Sequence, residues 1–467
     1  MNKRFVASLG GVAAALAMAG CTSLIPRYER PAAPVPAVFS GDATAVSATT
    51  AASDIAWQSF FTDERLKRLI ALALQNNRDL RVAVLNIEQV RAQHQLRRAD
   101  ELPTLNAGAS ASRQPKSGGG ISSTYTAGLL VTGYEIDFFG RVRSLSEAAL
   151  AQVLGTEEAR KTVQISLVAS VATTYLNLLA DDELLTVTRQ ALATREESLR
   201  LSKLRFDNGA TSELDYRQTE SLLEAARVSL AQLTRQRALD ENALALLLGS
   251  PLPPDLPPAT AFAARAAGPE LPAGLPSDVL ARRPDVRQAE QTLIAANANI
   301  GAARAAFFPR ITLTGGAGLA SSELSGLFKS GAFAWSFAPQ LLLPIFDAGR
   351  NQANLDVAQV SRDIAVAQYE KAVQSAFREV ADALAGRATL GEQLRAQQAQ
   401  ANAEAVRFKL ADLRYRNGAS SYLDVLDAQR SLLNAQQAVV QVQAAQMQNQ
   451  VALYKALGGG WKDGAAN

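Results

Sequence analysis

The chain has a single cysteine, Cys21, and a single histidine, His94. Disulfides are therefore excluded, and so is any metal site built on thiolates or clustered imidazoles. Charge is almost balanced. The formal net charge is +3, and setting Lys3 and Arg4 aside leaves +1 (3 − 2), so nothing favours nucleic acid as a partner. Past residue 20 no run of 18 apolar residues occurs, and a transmembrane helix is not expected. The chain has no Gly-x4-Gly-Lys-Ser/Thr phosphate loop, and His94 reads as a surface residue of its helix. No carboxylates pair as acid and base by spacing. An enzyme is not expected, nor a cofactor. Proline is missing from residues 141–206 and from 350–415, which leaves two stretches free to form very long helices.

What is present begins with a processing signal. Lys3 and Arg4 precede a short apolar run that ends in small residues, as in a signal peptide covering residues 1–20. Met18-Ala-Gly-Cys21 has the form of a lipobox, so Cys21 is the expected lipid attachment site. Residues 21–60 then read as a lipid-anchored, extended segment, poorly structured over the Pro-, Ala-, Ser- and Thr-rich 26–52.

The rest is a duplication. Arg205 to Asp215 returns as Arg414 to Asp424, with seven of eleven positions identical at an offset of 209. Asp79, Arg81, Ala83, Arg98, Ala99 and Pro103 return as Asp285, Arg287, Ala289, Arg304, Ala305 and Pro309 at an offset of 206. The difference must fall between Pro103 and Gly140, a stretch holding the loop-like Lys116-Ser-Gly-Gly-Gly120. The first repeat is placed at 61–248, with strands near 102–113 and 123–137 and a helix near 141–206. The second is placed at 277–457, with strands near 308–320 and 332–345 and a helix near 350–415. A Pro-rich equatorial linker spans 249–276, and 458–467 is a tail.

Val168, Val171, Tyr175, Leu178 and Leu185 follow the 3-4 alternation of a heptad seam, and Phe377, Val380, Leu384 and Leu394 keep its register. After the turns, Leu223, Ala226, Leu230 and Leu233 return as Leu432, Ala435 and Val439. Each long helix would measure roughly 100 Å. Pairs of shorter helices (212–248 and 278–305) would run back alongside. In the strands, apolar Ile311, Leu313, Ala317 and Leu319 alternate with Thr312, Thr314, Gly316 and Gly318. One apolar and one small polar face over about ten residues suits a barrel wall between lipid and water. Phe328, Phe333 and Trp335 would form an aromatic girdle. Four strands cannot close a barrel, so two or three copies must combine. A soluble sheet on a helical core is the plainer alternative.

Several motifs together resemble the TolC-type outer-membrane efflux proteins, in their OprM-like lipoprotein branch. They are Cys21 with Tyr28-Glu-Arg-Pro31, Leu280-Ala-Arg-Arg-Pro-Asp285, Ala302-Ala-Arg-Ala-Ala-Phe-Phe-Pro309, Leu343-Pro-Ile-Phe-Asp347 with Gly349, and Tyr422-Leu-Asp-Val-Leu-Asp-Ala-Gln-Arg430. The resemblance implies a mainly α fold with a transmembrane β-barrel portion, in which a homotrimer forms a 12-stranded barrel and a coiled-coil helical tunnel. It implies an outer-membrane exit duct reaching into the periplasm, with a periplasmic adaptor (a membrane fusion protein) and an inner-membrane efflux pump as partners. A lipid-anchored periplasmic coiled-coil adaptor or structural protein without a pore is the rival reading.

By the same resemblance, Leu423, Asp424 and Asp427 match the pore constriction. Arg414, Tyr415, Arg430 and Asp215 fall among the contacts that keep the tip shut. The plainer readings are local. Asp215 and Asp424 stand at the third helical position after Ser212 and Ser421, where a carboxylate suits the helix dipole. Asp427 would lie on a solvated helix face. If the aspartates ring an axis, like charges should raise one another's pKa.

Overall fold

The computed structural model describes residues 23–36, 39, 54–259, 262 and 277–462. The expectations for the signal peptide and for Cys21 lie outside those residues. Seven main helices and four strands follow in the order α1 (Glu64–Asn76), α2 (Arg78–Ala99), β1 (Leu105–Pro115), β2 (Ile121–Glu135), α3 (Arg141–Asp207), α4 (Glu213–Leu248), α5 (Pro284–Ala305), β3 (Arg310–Ser321), β4 (Phe333–Leu342), α6 (Arg350–Arg416) and α7 (Tyr422–Ala456). α3 and α6 are each 67 residues long. The chain forms two compact units, each assembled from segments of both repeats, so the duplication is interwoven and not split into two bodies.

Local chemistry sets the element ends. Asp63 caps α1 by accepting from the Arg65 and Leu66 amides at 2.8 and 3.4 Å. Asn77 alone separates α1 from α2. Its backbone is extended, its Oδ1 accepts from the Leu80 amide at 3.0 Å, and its Nδ2 donates to the Leu247 carbonyl at 3.0 Å. The return helix expected over 278–305 is shorter. Ser277–Arg282 is a 3-10 turn, and the α-helix starts at Pro284. Proline suits the first helical position and disfavours α geometry in the residue before it.

The first unit holds the sheet, a meander in the order β1-β2-β3-β4 with every neighbouring pair antiparallel. Register decides the faces. Ala107, Leu129, Ala317 and Trp335 are successive partners across the sheet, as are Ala109, Ala127, Leu319 and Phe333. Partners point to the same side, so most apolar positions of the four strands merge into one face, with Leu130 and Leu342 on the other. Asn106, Ser110, Thr126, Thr314 and Ser336 share that second face. A bulge between Val131 and Tyr134 reverses the parity of β2 around Gly133, whose φ is +67°, so that Tyr134 joins Leu313 on the apolar face and Glu135 joins Thr312 on the polar one. Gly128 and Gly318 are partners, and a Cβ on either would strike the opposite backbone. The β1–β2 tip is the five residues 116–120, and the β3–β4 connection is the eleven residues 322–332, so the second repeat carries the longer loop.

The leader expected to be poorly structured is tied down in this unit. Asn297 and Arg304 of α5 donate to the carbonyls of Pro26 and Leu24 at 2.8 and 3.3 Å. Arg30 grips Glu290 in a fork at 2.7 and 2.8 Å, and Tyr28 donates to the same carboxylate. Ile25 and Ile294 pack on Ala148, Ala151, Ala295 and Ala298, small residues that let α3 and α5 approach closely.

The second unit is a helical core. Val168, Val171, Tyr175, Leu178 and Leu185 are all buried, as the seam requires. In the second copy Val380 is buried, but Phe377, Leu384 and Leu394 are only half-buried. α3 does contain a stretch long and apolar enough to cross a membrane, against the sequence expectation, and most of that stretch is buried within the fold. Residues before 61 belong to this core too. Trp57 and Phe60 are buried, and Phe60 stacks on Tyr454 at 3.9 Å. The supposed tail is docked as far as Lys462, which pairs with Asp54 beside Trp461, itself under Lys161. Arg283 of the Leu280–Asp285 motif is buried and three-way bonded. It donates to Asp285 and Glu379 at 2.7 and 2.8 Å and to the Ala456 carbonyl at 2.7 Å.

Candidate functional site

Both long helices end in the same turn. Gly209 and Gly418 have φ of +70° and +73°. The Ala210 amide reaches back to Arg205 O and the Gly209 amide to Phe206 O, and Ala419 and Gly418 repeat this on Arg414 O and Tyr415 O. These are Schellman turns, which satisfy the last helical carbonyls and require the left-handed residue that glycine supplies. Asn208 and Asn417 each donate a side-chain bond to a further carbonyl at 2.7 Å.

The two copies then diverge. In the first, the Asp215 amide donates to Ser212 Oγ at 3.1 Å, while the Ser212 and Thr211 hydroxyls donate to the Asp215 carboxylate at 2.8 and 2.9 Å. Those hydroxyls, Ser212 first, hold Asp215 below the usual carboxylate range. Asp215 is thus engaged in capping its own helix. In the second, Ser421 makes no capping bond with its side chain. Asp424 and Leu423 are exposed.

Asp427 is not on a merely solvated face. Its carboxylate receives Arg407 of α6 and, at 2.6 Å, Arg430 one turn along α7. Arg407 also reaches Glu404 at 3.1 Å. Arg407 first, and then Arg430, hold Asp427 below its ordinary pKa. Arg430 therefore pairs within its own helix, and the link between helices is made by Arg407. Arg414 bonds locally, to the Ala419 carbonyl at 3.4 Å. Tyr415 does join two helices. Arg205 of α3 donates to its hydroxyl and lies over its ring at 4.9 Å, and the ring meets Tyr422 at 4.8 Å.

Arg407 was the residue missed from sequence, although a signal existed. At the offset of 209, Arg407, Asp427 and Arg430 correspond to Ser198, Gln218 and Ser221. Three charges appear together in one copy of a duplication where the other has none. That asymmetry marks the α6–α7 end as chemically distinct.

The model of the outer membrane efflux protein family matches residues 69–250 and 275–459, one match per repeat. The solvent efflux pump outer membrane protein SrpC of Pseudomonas putida is 50% identical over 460 residues, covering 96% of this chain and 97% of its own. The outer membrane protein OprJ of Pseudomonas aeruginosa is 45% identical, covering 95% and 94%. Among solved structures, the open state of the MtrE outer membrane channel of Neisseria gonorrhoeae superposes with a TM-score of 0.87 at 43% identity, covering 96% of this chain and all of that one.

Proposed function

The chain belongs to the outer membrane efflux protein family, and from that premise we propose how its residues build and close a duct. The protein is an outer-membrane channel serving as the exit of an efflux system, a transport protein in a family of channels and not of enzymes. One observation carries the architecture. The sheet has one mainly apolar face and two edge strands, β1 and β4, exposed along their whole length. An open edge is intolerable in lipid, so β4 must pair with β1 of another copy. Three copies give twelve strands and a ring whose small polar face encloses water. The duct then conducts passively, with direction and cargo chosen upstream by an inner-membrane pump linked through a periplasmic adaptor. The relatives' names favour small apolar organic molecules as cargo. Cys21 carries the lipid that holds the leader at the membrane.

Closure falls to the ends of the long helices. Leu423, Asp424 and Asp427 line the constriction, and two links hold it shut: Arg407 to Asp427, and Arg205 to Tyr415. Their roles differ. Asp424 makes no ion pair among the described residues and supplies the cation-attracting charge. Asp427 is neutralised by its arginines and acts as a latch. Planar-bilayer recording tests this. Asp424→Ala is expected to lower cation selectivity and block by divalent cations at near-normal conductance. Asp427→Ala is expected to raise conductance, as is Leu423→Ala. Wild-type traces from both aspartate variants would remove these residues from the pore.

A further inference from the structure

Arg195, on α3, is 5% exposed. Its Nη1 donates to the Leu222 carbonyl at 2.9 Å, and among the described residues that is its one bond. An arginine carries five N–H donors, so most of this guanidinium's donor capacity is unspent. Burial alone pulls it below the usual arginine range, with no carboxylate close enough to offset the loss of water. Its remaining donors are not among the buried side-chain atoms that lack a partner, so they face the solvent of a cleft that Arg195 lines. The duplication sharpens the point. The equivalent position in the second repeat is Glu404, which is ion-paired to Arg407, whereas Arg195 has no ion-pair partner among the described residues.

Arg195 lines a cleft of about 180 Å³ between α3, α6 and α7. The wall is divided. Phe408, Leu432 and Leu433 make one part apolar, while the Gln429 side chain stands with Arg195 on the polar part. Gln429 is itself buried, and its Oε1 lacks a hydrogen-bond partner, while its Nε2 meets Ser198 Oγ at 3.3 Å. With the amide turned over, Ser198 donates to Oε1 and Nε2 becomes a second donor beside the guanidinium. Two buried donors, one of them cationic, then share the cleft with an aromatic ring and two leucines. We propose that this cleft binds a small organic carboxylate, its anionic head on Arg195 and Gln429 and its apolar body on Phe408, Leu432 and Leu433. Leu423, Asp424 and Asp427 do not line this cleft, and the proposal does not depend on their roles. The volume suits a single-ring or short-chain acid, and a planar carboxylate matches the fork of a guanidinium.

The test is isothermal titration calorimetry of the full-length protein in detergent, with sodium benzoate as probe and with benzyl alcohol and sodium chloride as controls. Benzoate is expected to bind saturably, with neither control doing so. Arg195→Met should weaken benzoate binding roughly ten- to hundredfold, the worth of a hydrogen bond to a charged group. Thermal unfolding of the unliganded variant should be unchanged or raised, because an unpaired buried charge has been removed, and this shows that the loss is not misfolding. Leu432→Trp keeps Arg195 but fills the cleft, and should abolish the response as well. Equal binding of benzoate to wild type and Arg195→Met overturns the proposal. So does equal response to chloride, and so does the absence of heat from wild type.

Discussion

Asp181 on α3 is buried, and its Oδ2 has no ordinary hydrogen-bond donor. Its neighbour is a second carboxylate, Asp240 of α4, with Asp182 and Arg237 close by. Burial first, and then the bond to Asp240, push Asp181 up to about 7. The pair must hold one proton between them to share a hydrogen bond. A pKa raised in the folded state gives stability that is complete below the usual aspartate range and is lost as pH rises through about 7. Asp240→Asn replaces the shared proton with an amide donor. Its stability relative to wild type is therefore expected to climb between about pH 4 and 7, read as a melting-temperature difference that grows with pH. A difference that stays flat across that range would show that the two carboxylates do not share a proton. The same scale accounts for Asp427, which an arginine from another helix holds low within one chain, while the repulsion expected of a ring of aspartates belongs to several copies.

At the scale of elements, Arg283 ties the start of α5 to two others. It sits beside the helix-initiating Pro284 and bonds Glu379 of α6 and the last carbonyl of α7 at once. Arg283→Met keeps the apolar stem but leaves that carbonyl without its donor and two carboxylates unpaired. A loss of about 1–3 kcal/mol is expected, read as a lower unfolding midpoint. Arg283→Lys should recover only part of it, because a point charge cannot serve three acceptors held in a planar arrangement. Full stability in Arg283→Met would reduce the motif to a helix start. Pro284, Gly209, Gly418 and Asp63 set their element ends through covalent geometry or through neighbours one turn away, although the sequence pattern alone starts the helix of Pro284 six residues early, at 278.

For the molecule as a whole, the exposed apolar residues are as informative as the open sheet. Val357, Val360 and Ile364 form one exposed helical stripe on α6, and Val406, Leu410 and Leu413 form another. Spacings of three and four, out of register with Phe377, Val380 and Leu384, make separate apolar stripes that a single chain leaves uncovered. Isolated surface leucines mean little, but ordered stripes of this kind call for further helices. Native mass spectrometry from detergent is expected to show three copies, each heavier than its mature polypeptide by the acyl groups on Cys21. A two-copy species would instead mean eight strands, and an unmodified N-terminus would remove the lipid anchor.

The sequence by itself determined the duplication, the four strands with their two faces, the very long helices and the glycine turns that end them. Each of these is written in local periodicity, or in residues whose backbone preferences do not depend on distant partners. Only the tertiary structure decided the register that merges four apolar faces into one, the interweaving of the repeats, and the docking of the leader through Glu290. It also decided the partners of Asp427, Arg195 and Asp181. Charge and burial act through space, and the chain had to fold before Arg407 met Asp427 or Asp240 met Asp181.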